Sequence, residues 1–239
     1  MKLKTRKGRE QAGAFLAEGG KLIGEALDAG LTVREVFARS EEALAAAGVA
    51  DGPRGYILPE QLFSRLAETV HSQGVVAVVD MPQQAALPTG SVVVLDRLQD
   101  PGNVGTILRS AYAAGLAGAV IVKGTADPYS DKVVRAAAGA LFRLPLTFAE
   151  DGQAALELLT AAGIRPVAAV MDGGVVYTQA DLTGNVALLV GNEGGGISEA
   201  LLTGAAEKVT IPMQAGSESL NAAVAASVLM FEKRRQDIG

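Results

Sequence analysis

The chain is predicted to be an α/β protein, with a mainly parallel six-stranded sheet, helices on both faces, and a small α/β domain in front of it. Three observations carry this. After residue 90, Val-rich runs alternate with helical patterns along the rest of the chain. Most of those runs are apolar at successive positions, as strands covered on both sides must be. The stretch DMPQQAALPTG (80–90) has two Pro, two Gln and no helical or strand period, so it reads as a linker. The expected division is therefore 1–80, a linker over 81–90, and 91–239.

In the first part, EGGKLIGEALDAG (18–30) predicts an amphipathic helix stopped at Gly30, and VREVFA (33–38) predicts a strand. EEALAAAG (41–48) is a helix closed by Gly48, and GYIL (55–58) is a strand. PEQLFSRLAETV (59–70) is a helix with Pro in its first turn, and GVVAVV (74–79) is a buried strand. In the second part the strands are SVVVLD (91–96), GAVIVK (118–123), RLPLTF (143–148), PVAAVM (166–171), VALLVG (186–191) and KVTIP (208–212). Helices are expected over 104–115, 130–141, 152–163, 197–204 and about 220–235. Helical crossovers between strands imply a parallel, doubly wound sheet, and such sheets bind ligands beyond the C-terminal ends of their strands. The loops after 96, 191 and 212 are therefore the candidate site.

Composition removes several chemistries. There is no Cys, so neither a thiolate nucleophile nor a Cys-ligated metal is available. The single His, His71, cannot build a multi-histidine metal site, and no G-x-S-x-G elbow accompanies it. It is expected to hydrogen-bond locally between domains, and no metal is expected. No apolar run is long enough to span a bilayer, and the basic N-terminus lacks a signal-peptide core, so the reading is a soluble cytoplasmic protein. Net charge is −5, yet residues 1–9 hold Lys2, Lys4, Arg6, Lys7 and Arg9 without an acid. A basic arm on an acidic body is suited to gripping phosphates.

The first candidate loop, LDRLQDPGNVGTILRSAYAAG (95–115), has a PGN turn with Asn103 placed as an N-cap. Val104, Leu108, Ala111 and Gly115 form an apolar stripe on the following helix, and Arg109 points well away from it. The second loop, LLVGNEGGGISEALL (188–202), follows a buried strand with Gly191, Asn192, Glu193 and three Gly, where main chain is open to a ligand. Its spacing fits neither G-x-G-x-x-G nor a P-loop, which disfavours a dinucleotide oxidoreductase. The third, IPMQAGSESLNAAVAASVLMFE (211–232), runs polar residues into a helix that is apolar almost all round. Ser217 or Ser219 is placed to cap it. Leu220, Val224, Val228 and Phe231 share one face, and Asn221 at the buried end needs hydrogen-bond partners.

Taken together, DPGNVGTILRSA, LLVGNEGGGIS and VTIPMQAGSESLNAAVAAS closely resemble the three ordered motifs of the SpoU–TrmH family of RNA ribose 2′-O-methyltransferases, within the SPOUT superfamily. SDKVVRAAAGALFRLP (130–145) matches a further family stretch, and the N-terminal part is similar to the RNA-substrate-binding domain of many members. The resemblance implies a C-terminal trefoil knot, a homodimer, and S-adenosyl-L-methionine bound by the second and third loops. It places cofactor contacts at Gly191, Asn192, Gly194, Ile211, Pro212, Met213 and Leu220. It gives catalytic roles to Arg109, Asn103, Glu193, Ser219 and Asn221, with Arg109 of one subunit meeting the other subunit's cofactor.

For RNA contact, the basic residues 2–9 with Arg135 and Arg143 are the candidates. The low aromatic content argues for recognition of shape and phosphate over a stacking platform. The implied activity is 2′-O-methylation of structured RNA, ribosomal RNA first. The alternatives are a transfer-RNA methyltransferase or a non-catalytic RNA-binding or ribosome-assembly protein on the same fold.

Overall fold

The computed structural model describes residues 2–49, 53–67, 72–84, 86–214 and 216–239; His71 lies outside them. In chain order the elements are α1 (Arg6–Ala12), β1 (Ala14–Glu18), α2 (Gly20–Asp28), β2 (Val33–Ala38), α3 (Glu41–Ala46), β3 (Arg54–Ile57), α4 (Glu60–Phe63) and β4 (Val75–Asp80). There follow β5 (Val92–Asp96), α5 (Pro101–Ala113), β6 (Gly118–Val122), α6 (Asp131–Ala137), β7 (Leu146–Ala149), α7 (Gly152–Ala161) and β8 (Arg165–Ala169). The last are β9 (Val175–Val176), β10 (Val186–Gly191), α8 (Glu199–Gly204), β11 (Glu207–Thr210) and α9 (Ala222–Ile238). No helix among the described residues is long and apolar enough to cross a membrane.

The chain forms two compact units, Met1–Gln83 with Asp127–Arg143, and Gln84–Ala126 with Leu144–Gly239. The sequence division assigns 127–143 to the second domain; by packing, this segment sits with the first. Its apolar side chains explain why. Phe15 of β1 meets the rings of Tyr129 and Phe142 at centroid distances of 5.4 and 5.8 Å. An apolar helix face carries no mark of which sheet it will cover. The predicted 130–141 helix also breaks, because Ala138 and Gly139 turn left-handed (φ 48° and 85°) before a 3₁₀ turn at Ala140–Phe142.

The first unit's sheet runs β1-β4-β2-β3, antiparallel except for the β2–β3 pair. Two of its elements were not foreseen, α1 and β1. The expected arm is a helix, capped by the Thr5 hydroxyl, which accepts from Gly8 N at 3.2 Å, and ended by Gly13 at φ 60°. Arg9 is buried: its Nε donates to Asp127 at 3.0 Å and its Nη1 to the Leu3 carbonyl at 2.8 Å. A partner 118 residues away is invisible to local pattern. Arg143 similarly pairs with Glu25 at 2.6 Å.

The second unit's sheet has seven strands where six were expected, all parallel, in the order β7-β6-β5-β10-β8-β11-β9. The extra one, β9, is two residues long, too short for any period to show. One face carries Val92, Val94, Val120, Val122, Ala187 and Leu189 against Ala155 and Leu159 of α7 and Leu201 of α8. Alternation sends their neighbours to the opposite face, where α5 lies on β5 and β6 and α9 lies on β10 and α5. Strand order turns outward in both directions from the β5–β10 pair, which makes the C-terminal end of that pair the natural crevice.

Candidate active site

At that end Gly191 of β10 lies in register with Asp96 of β5. Asp96 is fully buried, and a buried carboxyl group needs hydrogen-bond partners. It accepts from Ser198 N at 2.6 Å and from Arg97 Nε at 3.1 Å. Arg97 takes φ 57°, and its carbonyl accepts from Asn192 Nδ2 at 2.9 Å. The first loop thus anchors both ends of the second.

Within the second loop, main-chain bonds between Asn192 and Gly196 (3.1 and 2.8 Å) close the turn. Asn192 Oδ1 accepts from Gly194 N and Gly195 N at 2.8 and 3.1 Å. The turn folds back so tightly that a Cβ on Gly191 would stand 2.3 Å from Gly196 C and Ile197 N. Only glycine allows that approach. Both polar atoms of the Asn192 side chain are thus engaged, Oδ1 in the turn itself and Nδ2 on the Arg97 carbonyl of the first loop.

A cleft of about 500 Å³ opens over this floor. Gly191, Asn192, Gly194, Ile211, Met213 and Leu220 line it, as do Glu193, Ser219 and Asn221. Pro212 does not. The cleft also takes Ala169, Val170 and Met171 from the end of β8, and Ala222, Ala225 and Leu229 from α9, which sequence reasoning missed. PVAAVM was read as a strand, but only the observed strand order puts its end beside β10.

Asn103, Glu193 and Asn221 join the three loops. Asn221, and neither Ser217 nor Ser219, caps α9: its Oδ1 accepts from Ala223 N at 2.9 Å and Val224 N at 3.2 Å. Its Nδ2 donates to Asn103 Oδ1 at 2.8 Å, and Asn103 Nδ2 donates to Glu193 Oε1. Helix N–H groups only donate and a carboxylate only accepts, so both ends dictate the same amide orientation along the relay. Asn103 is not the N-cap of α5. That residue is Asp100, whose Oδ1 accepts from Asn103 N at 2.7 Å. With both amide atoms engaged, Asn103 positions other groups. The Ser219 hydroxyl has no partner among the described residues.

Arg109 is not brought to this chain's own cleft. It is exposed on α5, opposite the buried Val104, Leu108 and Ala111, and has no polar partner among the described residues. Gly115, placed in the stripe by sequence, is instead an exposed residue at φ 79° just past the helix. Tyr112 on α5 and Leu220, Val224 and Phe231 around α9 are 39–49% exposed, so the face expected to be covered is bare in the single chain. Ser198, at the N-terminal end of α8, makes no cap bond with its side chain, and its hydroxyl is buried without a partner among the described residues.

Of the basic candidates, Lys2, Arg6 and Lys7 are exposed, and Arg6 pairs with Glu10 at 2.8 Å. Lys4 and Arg135 are half-buried, and Arg135 Nη1 has no partner among the described residues. Arg9 and Arg143 are held by the internal pairs described above, so they are not free to grip phosphate.

Residues 90–231 match the family model of the SpoU rRNA Methylase family, and residues 1–77 match the MRM3-like substrate binding domain. The chain is 35% identical over 233 residues to the 23S rRNA (guanosine(2553)-2′-O)-methyltransferase RlmP of Bacillus subtilis, covering 98% of this chain and 93% of the relative. Among solved structures, the SpoU methyltransferase AviRb of Streptomyces viridochromogenes, in complex with AdoMet, superposes with a TM-score of 0.90 at 32% identity, covering 100% and 96% of the two chains. An AdoMet-bound rRNA methyltransferase from Sinorhizobium meliloti gives 0.86 at 34% identity, covering 98% and 92%.

Proposed function

The chain belongs to the SpoU rRNA methylase family, and from that membership we propose that it transfers a methyl group from S-adenosyl-L-methionine to a ribose 2′-hydroxyl of ribosomal RNA. The observation that carries the reading is the cleft at the β5–β10 switch point. Its floor is bare main chain at Gly191, and its volume of about 500 Å³ suits a cofactor-sized ligand. Ile211, Met213 and Leu220 offer an apolar slot for a purine ring, and Ala169 and Ala225 leave it uncluttered. These residues fit the cofactor. When bound, S-adenosylmethionine supplies an electrophilic sulfonium methyl group, and its product is a neutral thioether, so no acid is needed for the leaving group.

The protein's task is alignment, and holding two reacting groups in line lowers a barrier by about 7–11 kcal/mol. The Asn221–Asn103–Glu193 relay fixes the three loops against one another. Glu193 keeps a carboxylate at the cleft, and Ser219 offers a free hydroxyl at its rim. Arg109 acts from a second subunit. A guanidinium keeps its proton in proteins, so its role is to grip phosphate or ribose oxygens and stabilise developing alkoxide charge. The bare apolar strip of Tyr112, Leu220, Val224 and Phe231 supports a homodimer in which α5 and α9 meet their copies. A C-terminal trefoil knot is part of this reading. A cytoplasmic location is part of the same reading. Lys2 and Lys7 remain candidate phosphate contacts.

The test is transfer of labelled methyl from S-adenosylmethionine to deproteinised ribosomal RNA and, separately, to transfer RNA, both from cells lacking the gene. Label recovered in 2′-O-methylnucleosides of the ribosomal pool supports the proposal. Label in transfer RNA alone selects the alternative substrate, and no calorimetric heat with S-adenosylmethionine selects a non-catalytic binder.

A further inference from the structure

One face of the first unit's sheet plays no part in the mechanism. β3 is the edge strand and is exposed along its whole length. Register sets Arg54 opposite Glu35 and Tyr56 opposite Phe37, and alternation puts all four on the face that carries Leu16, Val76 and Val78. The Phe37 and Tyr56 rings are stacked, with centroids 5.4 Å apart and planes 19° from parallel. Tyr56 is 38% exposed, and no strand among the described residues lies beyond it. The stack therefore ends in solvent.

Beside the stack a shallow groove of about 700 Å³ is floored by Leu3 and Val78 and walled by Lys2, Arg34, Glu35 and Arg54. Arg34 is held by Asp80 and by the Ala12 carbonyl at 3.0 Å. Lys2 and Arg54 have no side-chain polar partner among the described residues. Beside the open aromatic face the groove thus holds two unpaired cations, Lys2 and Arg54, against one acid, Glu35, likewise unpaired among the described residues. This is a local excess of one positive charge on a chain of net charge −5. A polyanion that carries flat rings complements both features at once, whereas an apolar protein partner would leave the cations unmatched. One exposed pair falls short of the extended stacking platform that the composition disfavours, but it is enough for a single base.

We propose that this face holds an unpaired stretch of the substrate RNA, with one base extending the Phe37–Tyr56 stack and the adjoining phosphates on Arg54 and Lys2. The proposal rests on the chain being an RNA-modifying enzyme, and its test reads RNA affinity separately from cofactor affinity. The full-length protein is titrated against deproteinised ribosomal RNA at several salt concentrations. Tyr56→Ala should weaken binding about tenfold, the scale of a lost base–aromatic stack, while Tyr56→Phe keeps wild-type affinity. Arg54→Ala should lower the slope of log affinity against log salt by about 1, as loss of one phosphate contact does.

S-adenosylmethionine affinity should stay at the wild-type value in all three variants, which separates this face from the cleft. Tyr56→Ala, which loses a stacked ring, should melt a few degrees lower, while Tyr56→Phe and Arg54→Ala melt as wild type. Wild-type RNA binding by Tyr56→Ala, or an equal loss in Tyr56→Phe, overturns the proposal and leaves the face to a protein partner. A wild-type protein that binds RNA but no S-adenosylmethionine would defeat the methyltransferase reading instead, and the Tyr56 comparison would still decide this one.

Discussion

Replacing Gly191 by Ala tests the cleft at its tightest point. The added Cβ would stand 2.3 Å from Gly196 C and Ile197 N and 2.5 Å from Gly196 O. All three are main-chain atoms, so no flexible side chain can swing aside. To reach the 3.4 Å of ordinary contact, the 192–197 turn must retreat by about 1 Å. That turn is pinned by Asp96 at Ser198 N and by Arg97 at Asn192, so the retreat strains both anchors. Overpacking of this kind costs about 1–3 kcal/mol of stability. A misplacement of about 1 Å near reacting groups lowers turnover about 100-fold.

The assay pairs single-turnover methylation with calorimetry against S-adenosylhomocysteine and a thermal melt. Gly195→Ala is the control, because nothing lies within 4 Å of its added Cβ and its φ is not left-handed. The expected result is a loss of about 100-fold in turnover for Gly191→Ala, with the control near wild type. Wild-type cofactor affinity and turnover in Gly191→Ala would show that the main-chain floor is not where the cofactor sits.

Arg109→Ala should reduce methylation about 100- to 1,000-fold, the scale of a lost transition-state donor, while keeping the dimer and most cofactor affinity; unchanged turnover defeats the assignment. Asn221→Ala should lose a helix cap worth about 1 kcal/mol together with turnover. Asn221→Asp keeps the cap but offers Asn103 an acceptor where a donor stood, so it should stay stable and still lose turnover; equal activity in Asn221→Asp and wild type would rule out the relay. Phe231→Asp should yield monomers by light scattering, and a dimer of wild-type strength would move the interface elsewhere.

Glu232 is buried on α9, and hydrogen bonding from Arg235 foremost, with Gln236, holds its carboxyl down at about 2. A depressed folded value adds stability that is complete above the ordinary 4.5 and is lost as pH falls from there through about 2. Glu232→Gln should therefore melt below wild type at pH 7, with the gap closing toward pH 2. A gap independent of pH would contradict the pairing.

The second unit was legible because buried parallel strands read as continuous apolar runs, and β5, β6, β8 and β10 lie within one or two residues of their expected places. The first unit was less so. α1 has little apolar periodicity and rests on the Thr5 cap and the Arg9–Asp127 pair, and β1 is five residues set off from it by the single Gly13. In the site, residue types were readable but partners were not. Asn103 and Asp100 are both capping residues three positions apart, and sequence alone does not choose between them. The relay joins residues separated by 90 and 118 positions, so its bonds depend on strand order. The outward direction of Arg109 was readable, because helical spacing from Val104, Leu108 and Ala111 already sets it.

The most direct measurement is a nucleotide-resolved map of ribose methylation in ribosomal RNA from cells with and without the gene. The account predicts that one 2′-O-methyl group disappears on deletion, returns with the wild-type gene, and does not return with Arg109→Ala. Identical ribose methylation in the two strains would contradict it.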